Sequence, residues 1–266
     1  MESAAQPAPV AKKKSWAGII LSVLPALFLL VDGVGKLVKP PVVVETTVHQ
    51  LGYPESVILG LGITLLVCTI VYLIPHTAVL GAILLTGYLG GAVATQVRVG
   101  GGAFPILFPV IIGAMLWGGL FLQDTRMREY LRSSAQSASV SKKARWAGII
   151  ISALPVLMLL FSGFMKLAKP AGLVEEFARL GYPEGVILGI GVLELACTVV
   201  YLIPRASVLG AILLTGYLGG AIATHTRVGD PFSNQIGPIL FGALLWGGLY
   251  LRDARMRAFI PLRKQE

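Results

Sequence analysis

The 266 residues are 55% hydrophobic and only 13% charged, with a mean hydropathy of +0.79, which excludes a water-soluble globular surface and points to an integral membrane protein. A formal net charge of +9 would suggest nucleic acid in a soluble chain, but the cations fall mostly between apolar runs, and no basic-aromatic patch supports a nucleic-acid partner. Two cysteines without a Cys-x-x-Cys exclude a disulfide framework, a structural zinc site and a thioredoxin-like pair.

A hydrocarbon core of about 30 Å takes roughly 20 apolar residues of helix. Eight runs come near that length: 16–38, 56–74, 77–97, 104–122, 146–168, 185–203, 206–226 and 236–251. Continuous apolarity, rather than alternation, selects helices over barrel strands. Lys12, Lys13 and Lys14 before the first run have the layout of a secretory signal, but the run recurs at 146–168 inside the chain, so a retained span is expected. The segment PPVVVETTVHQLGYP at 40–54 links the first and second spans. Pro75, His76 and Thr77 alone link the second and third, which must therefore be antiparallel neighbours. From Arg132 to Ala144 the sequence RSSAQSASVSKKA is small, polar and basic, as a linker is. The expected division is a first repeat at 1–134 and, at 135–266, the linker with the second repeat. In PAGLVEEFARLGYP at 170–183, Leu173, Val174, Phe177 and Leu180 share one helical face, with Glu175, Glu176 and Arg179 opposite. That pattern predicts an interfacial amphipathic helix, either a plain cover on the bundle or a lid over a site.

The second half repeats the first at an offset of 129 or 130, with the one-residue slip between Pro40 and Leu51. WAGII at 16–20 returns at 146–150, and GAILLTGYLGGA at 81–92 returns unchanged at 210–221. Four spans per repeat give both halves the same orientation. The expected fold is an all-α integral membrane protein of two parallel four-helix transmembrane bundles, eight spans related by a pseudo-twofold along the membrane normal. The single chain is thus a pseudo-dimer in a lipid bilayer. Of its 22 Lys and Arg, fifteen fall on the side of the termini, the linker and the Pro204-Arg205 turn, against seven on the other. The positive-inside bias then places both termini in the cytoplasm.

The motifs LVDGVGKLVKP (30–40) and LFSGFMKLAKP (160–170), then LGYPE, VYLIP, the GAILLTGYLGGA run with its following RVG, and LWGGL, occur in this order in both halves. In this pattern the chain resembles the DoxX-like family of small four-span membrane proteins, as a tandem fusion of two units. The resemblance implies a bacterial or archaeal cytoplasmic membrane. It also implies a kinship with subunits of quinone-linked oxidoreductases and with partners in thiol and oxidative-stress systems. Quinone is the cofactor so implied, with a soluble or membrane redox partner.

Ionisable groups inside a bilayer cost about 2.5–3.5 kcal/mol each on insertion scales and are seldom kept without use. Glu194 lies at the centre of the sixth span, where the first repeat has Leu65; Asp32 lies in the first span, where the second repeat has Ser162. Equal depth predicts that Glu194 keeps company with Thr215 and Tyr217. Nearer the surface, Lys166, His225 and Arg227 are expected to gather beside Asp230, matched in the first repeat by Lys36, Gln96 and Arg98. Glu194 and His225 are the catalytic candidates, an acid and a titratable base. Lys166, Thr215, Tyr217, Arg227, Asp32, Lys36, Tyr88 and Arg98 are the ligand-binding candidates. Packing, snorkelling and, for Asp32 with Lys36, an i, i+4 ion pair are the structural alternatives. No metal site is expected from three unpaired histidines, and Cys68 and Cys197 read as buried small hydrophobes. The functional classes left open are a quinone-linked oxidoreductase subunit, a carrier or binding protein for a small hydrophobic or anionic molecule, and a structural membrane partner. Replacing Glu194 by Leu and His225 by Gln imports first-repeat residues, so the fold is expected to survive both changes. For the topology, cysteines introduced at Ser137 and Gln265 should label only from the cytoplasmic side, and one at Asp230 only from the opposite side. Labelling of Ser137 from outside would contradict eight spans.

Overall fold

The structure, a computed structural model, describes residues 16–123, 140–253 and Met256. The basic tail at Lys12 and the domain boundary near Ala135 lie outside the described residues. The first repeat consists of α1 (Trp16–Val38), α2 (Pro41–Val44) with a π-helical turn (Glu45–Gln50), α3 (Glu55–Leu73), α4 (Ala78–Arg98) and α5 (Ala103–Gln123). The second consists of α6 (Lys142–Ala168), α7 (Ala171–Arg179), α8 (Glu184–Leu202), α9 (Ser207–Arg227) and α10 (Ser233–Arg252). Seven of these helices are long and apolar enough to cross a bilayer. The polar first turn of α10, Ser233-Asn234-Gln235, lowers its hydropathy. It nevertheless packs on α6 and α9 as α5 packs on α1 and α4, and so completes the second four-helix unit.

Each unit is a closed ring in which α1 and α4, or α6 and α9, both touch the other two long helices. Leucines fill the centre: Leu29, Leu65, Leu85 and Leu116 in one unit, Leu159, Leu214 and Leu245 in the other. A buried tyrosine ties three helices in each. The Tyr72 hydroxyl lies 2.9 Å from Ser22 Oγ and donates to the Leu116 carbonyl at 3.0 Å. The Tyr201 hydroxyl lies 2.9 Å from Ser152 Oγ and donates to the Leu245 carbonyl at 2.8 Å. With no water at this depth, such hydroxyls must find protein partners.

The connectors show what the one-residue slip does. In the second repeat the segment is the regular α7. The first has one residue more between the same anchors, Pro40 and the LGYP turn, and absorbs it by widening the helix into the π-helical turn Glu45–Gln50, as inserted residues do. Both connectors are pinned at their bases, Lys39 to Glu55 at 3.7 Å and Lys169 to Glu184 at 3.6 Å. At the linker, α6 begins at Lys142, four residues before the expected Trp146, because Ser141 Oγ accepts from the Ala144 amide at 3.3 Å and caps it.

The repeats meet along α4 and α9. A Cβ on Gly90 would lie 2.0 Å from the Gly216 carbonyl oxygen, and one on Gly219 2.0 Å from that of Gly87, so only glycine permits this backbone contact. Sequence spacing suggested four-residue steps through Gly87 and Gly91 and through Gly216 and Gly220. All four lie in the crossing, Gly87 and Gly216 as the partners most closely approached; the residues that make the tightest approach to them are Gly90 and Gly219, three residues along. When the halves are expressed separately they should co-purify, and Gly90→Leu should abolish this, since such overpacking costs upwards of about 1–3 kcal/mol. Gly60→Leu, with nothing within 4 Å of its Cβ, should leave association intact. Equal co-purification in both variants would contradict the packing.

Candidate functional site

Two cavities flank the α4–α9 pair. The larger, about 1170 Å³, lies among α1, the first connector, α3 and α4, and is closed on its far side by α9 and α10 of the second repeat. The smaller, about 500 Å³, lies among α6 to α10 and reaches Gly90, Val93, Ala94 and Val97 of α4. Both are walled mainly by aliphatic side chains, and each contains one lysine and one acid.

In the smaller cavity the acid and the lysine come from different helices. Lys166 of α6 donates to Glu194 of α8 at 2.9 Å and to Ser162, one turn back on its own helix, at 2.5 Å; Ser162 Oγ also donates to Glu194 at 3.3 Å. Both ions are buried. In the larger cavity Lys36 pairs with Asp32, four residues earlier on the same helix, and Leu65 fills the place of Glu194. The two repeats therefore keep the lysine and relocate its counter-ion. Where one has Asp and Leu, the other has Ser and Glu.

This corrects two expected groupings. Lys166 belongs with Glu194 rather than with His225 and Arg227. Tyr217 does face Glu194. Thr215 does not: its hydroxyl accepts from Trp246 Nε1 at 2.9 Å, donates to the Ala211 carbonyl at 2.7 Å and lines the other cavity. Thr86 and Trp117 make the same pair in the first repeat. Tyr88, the counterpart of Tyr217, lines the larger cavity with Asp32 as its nearest acid, and its hydroxyl has no hydrogen bond among the described residues. Cys68 and Cys197 are buried and free.

The helix ends beside the connectors hold a separate set. His225 Nδ1 lies 2.7 Å from Asp230, and Arg179 of α7 grips the same carboxylate through two bonds of 2.9 and 3.0 Å while also holding Glu176. The Arg179 guanidinium, then His225, keeps the Asp230 carboxyl well below the usual range, and Arg179 likewise lowers Glu176. The amphipathic connector α7 is thereby latched to the loop after α9, over the cavity that Phe177 and Leu180 help to line. The first repeat has Gln50, Gln96 and Gly101 at these places and no such latch. Nothing in sequence spacing linked Arg179 to Asp230, which lies 51 residues away. His225 lines the same cavity as Glu194, although its bond is to Asp230. Arg227 and Arg98 bond to neither lysine: each donates through Nη2 to the carbonyl of the LGYP turn in its own repeat, Leu180 or Leu51, at 2.5 Å.

A model of the DoxX-like family matches residues 20–119 and again 150–248. The chain belongs to the DoxX-like family. Each match runs from the first to the fourth long helix of a repeat, so the chain carries two DoxX-like units in tandem. Searches of curated proteins and of solved structures return no match.

The ion-pair geometry of the second DoxX-like unit also corrects the expectation that Leu at 194 is tolerated. Glu194→Leu leaves Lys166 buried with only Ser162, and breaking such a pair typically costs about 3–5 kcal/mol. Adding Ser162→Asp rebuilds the first unit's arrangement. Thermal unfolding should therefore show Glu194→Leu strongly destabilised and Ser162→Asp/Glu194→Leu restored close to the parent. Equal melting of the two variants would contradict the relocation.

Proposed function

We propose that this DoxX-like chain holds a small amphiphilic molecule of the quinone class in the bilayer and serves as the quinone-binding subunit of a membrane oxidoreductase system, with both termini cytoplasmic. The observation that carries the reading is the larger cavity. Its volume of about 1170 Å³ suits a ring with part of an isoprenoid tail, and its walls, such as Leu61, Leu84, Ile222 and Ile239, are apolar. Its polar lining includes Lys36 with Asp32 and the Tyr88 hydroxyl, alongside neutral groups such as Thr46, Ser56, Thr64 and Gln235. An ammonium and a phenol are donors for carbonyl oxygens, so the residues present fit a quinone head.

A bound quinone would supply the capacity to take up two electrons and two protons. The chain's residues bind and orient it: Lys36 donates to a carbonyl oxygen, Asp32 offsets the lysine charge, and Tyr88 fixes the ring direction. The aliphatic wall excludes water. In the second unit Lys166, Glu194, Tyr217 and His225 are the proton-holding groups of the smaller cavity. The electrons come from a soluble or membrane partner. The same cavity and lysine also support a second reading, a carrier or binding protein for another hydrophobic or anionic molecule.

An absorption spectrum and a lipid-extract mass spectrum of gently purified protein, followed by titration with a soluble quinone, separate the readings. Retained quinone, with Lys36→Met and Tyr88→Phe each weakening the titration roughly tenfold, is expected from the loss of one charged or neutral donor. Another retained amphiphile sensitive to Lys36 favours the carrier reading. No retained molecule and no quinone binding contradict both.

A further inference from the structure

The arginines that end α4 and α9 face one another across the pseudo-twofold. A Cβ built on Gly52 would meet Arg98 Nη2 at 3.5 Å and Arg227 Nη1 at 3.9 Å, and one built on Gly181 would meet Arg227 Nη2 at 3.3 Å and Arg98 Nη1 at 3.7 Å. Both guanidinium groups thus lie within 4 Å of each of two points, one in each LGYP turn. Both glycines are exposed and have positive φ, +66° and +71°, so these turns favour a residue without a side chain and leave the arginines half-buried.

The arrangement is held in place by its surroundings. Tyr53 is bonded to Thr95 at 2.9 Å and Tyr182 to Thr224 at 2.9 Å, which fixes each turn to the last helical turn beneath it. The Tyr182 hydroxyl also reaches the Ala94 carbonyl of the other repeat at 3.4 Å. The two cations therefore cannot separate without unpacking the turns. A guanidinium carries five N–H donors, and among the described residues the one acceptor each finds is a turn carbonyl. Arg98 Nε and Arg227 Nε are buried without a partner. The ionisable groups acting on Arg98 are Arg227, Tyr182 and Tyr53, with no carboxylate among the described residues. The negative ends of α4 and α9 offset part of this charge. They leave the remaining guanidinium donors without an acceptor among the described residues.

We infer that Arg98 and Arg227 form one oxyanion site on the pseudo-twofold, for a phosphate-type group bound by both repeats at once. Planar guanidinium forks match tetrahedral oxyanions bidentately, and a shared anion cancels the repulsion between them. A free phosphate and the phosphodiester of an anionic lipid headgroup have this chemistry in common. The site is separate from both cavities, whose linings contain neither arginine, so it does not rest on the quinone reading.

The test uses the full chain. In detergent, calorimetric titration with inorganic phosphate at fixed ionic strength, with chloride as reference, reads affinity and stoichiometry. In nanodiscs, native mass spectrometry compares retention of phosphatidylglycerol with that of phosphatidylcholine. Expected are one phosphate per chain, no displacement by equimolar chloride, and at least roughly tenfold weakening by either Arg98→Gln or Arg227→Gln. Selective retention of one phosphatidylglycerol, lost in the same variants and without free-phosphate binding, assigns the site to the lipid headgroup. Arg98→Lys keeps the charge and loses the fork; it should weaken binding as well, and it serves if the glutamine variants do not fold. Two anions per chain, binding unchanged in the variants, or no binding of either phosphate form overturns the shared site.

Discussion

The backbone contact between α4 and α9 is the constraint on which the rest of the architecture depends. Lipid offers no hydrophobic drive between helices, so association relies on close packing, and Gly90 against Gly216 with Gly219 against Gly87 brings the two backbones together. At that separation the neighbouring helices of the two rings are held apart on either side of the pair. The space left over becomes the two cavities, each walled by residues of both repeats. The same contact places the carboxyl ends of α4 and α9 side by side, which is why Arg98 and Arg227 meet.

Electroneutrality inside the bilayer is the second constraint, and it shows in how the repeats have diverged. A buried lysine without a counter-ion is costly, yet the identity of the helix that supplies the acid is free to change. Asp32 with Leu65 and Ser162 with Glu194 are two solutions to the same requirement. The solutions differ mechanically: the first keeps the pair within α1, while the second ties α6 to α8. The connectors have diverged in the same direction. The second repeat has the latch through Arg179 and Asp230, and its cavity is the smaller.

The spans were legible because continuous apolarity has no other stable form in lipid, and the duplication because long motifs recur in order. The Asp32–Lys36 pair was legible from its i, i+4 spacing. The Lys166–Glu194 pair was not, because counting residues from the helix ends puts the two at different depths. Side chains on a helix lean towards its amino end, and for Lys166 that direction is inward. Its Cβ is level with Gly191, one turn above Glu194, and the stem covers the rest. The partner of Thr215 was not legible for a related reason: depth does not specify the face, and its hydroxyl is turned to Trp246. The π-helical turn was visible only as a slip in alignment.

The most direct measurement is an experimental density map of the gently purified chain in a lipid nanodisc, at a resolution that shows side chains. Expected are α4 and α9 in glycine-mediated backbone contact, and elongated non-protein density in the larger cavity, ending at Lys36 and Tyr88. Helices α4 and α9 splayed apart, or a larger cavity closed by its own side chains, would contradict this arrangement.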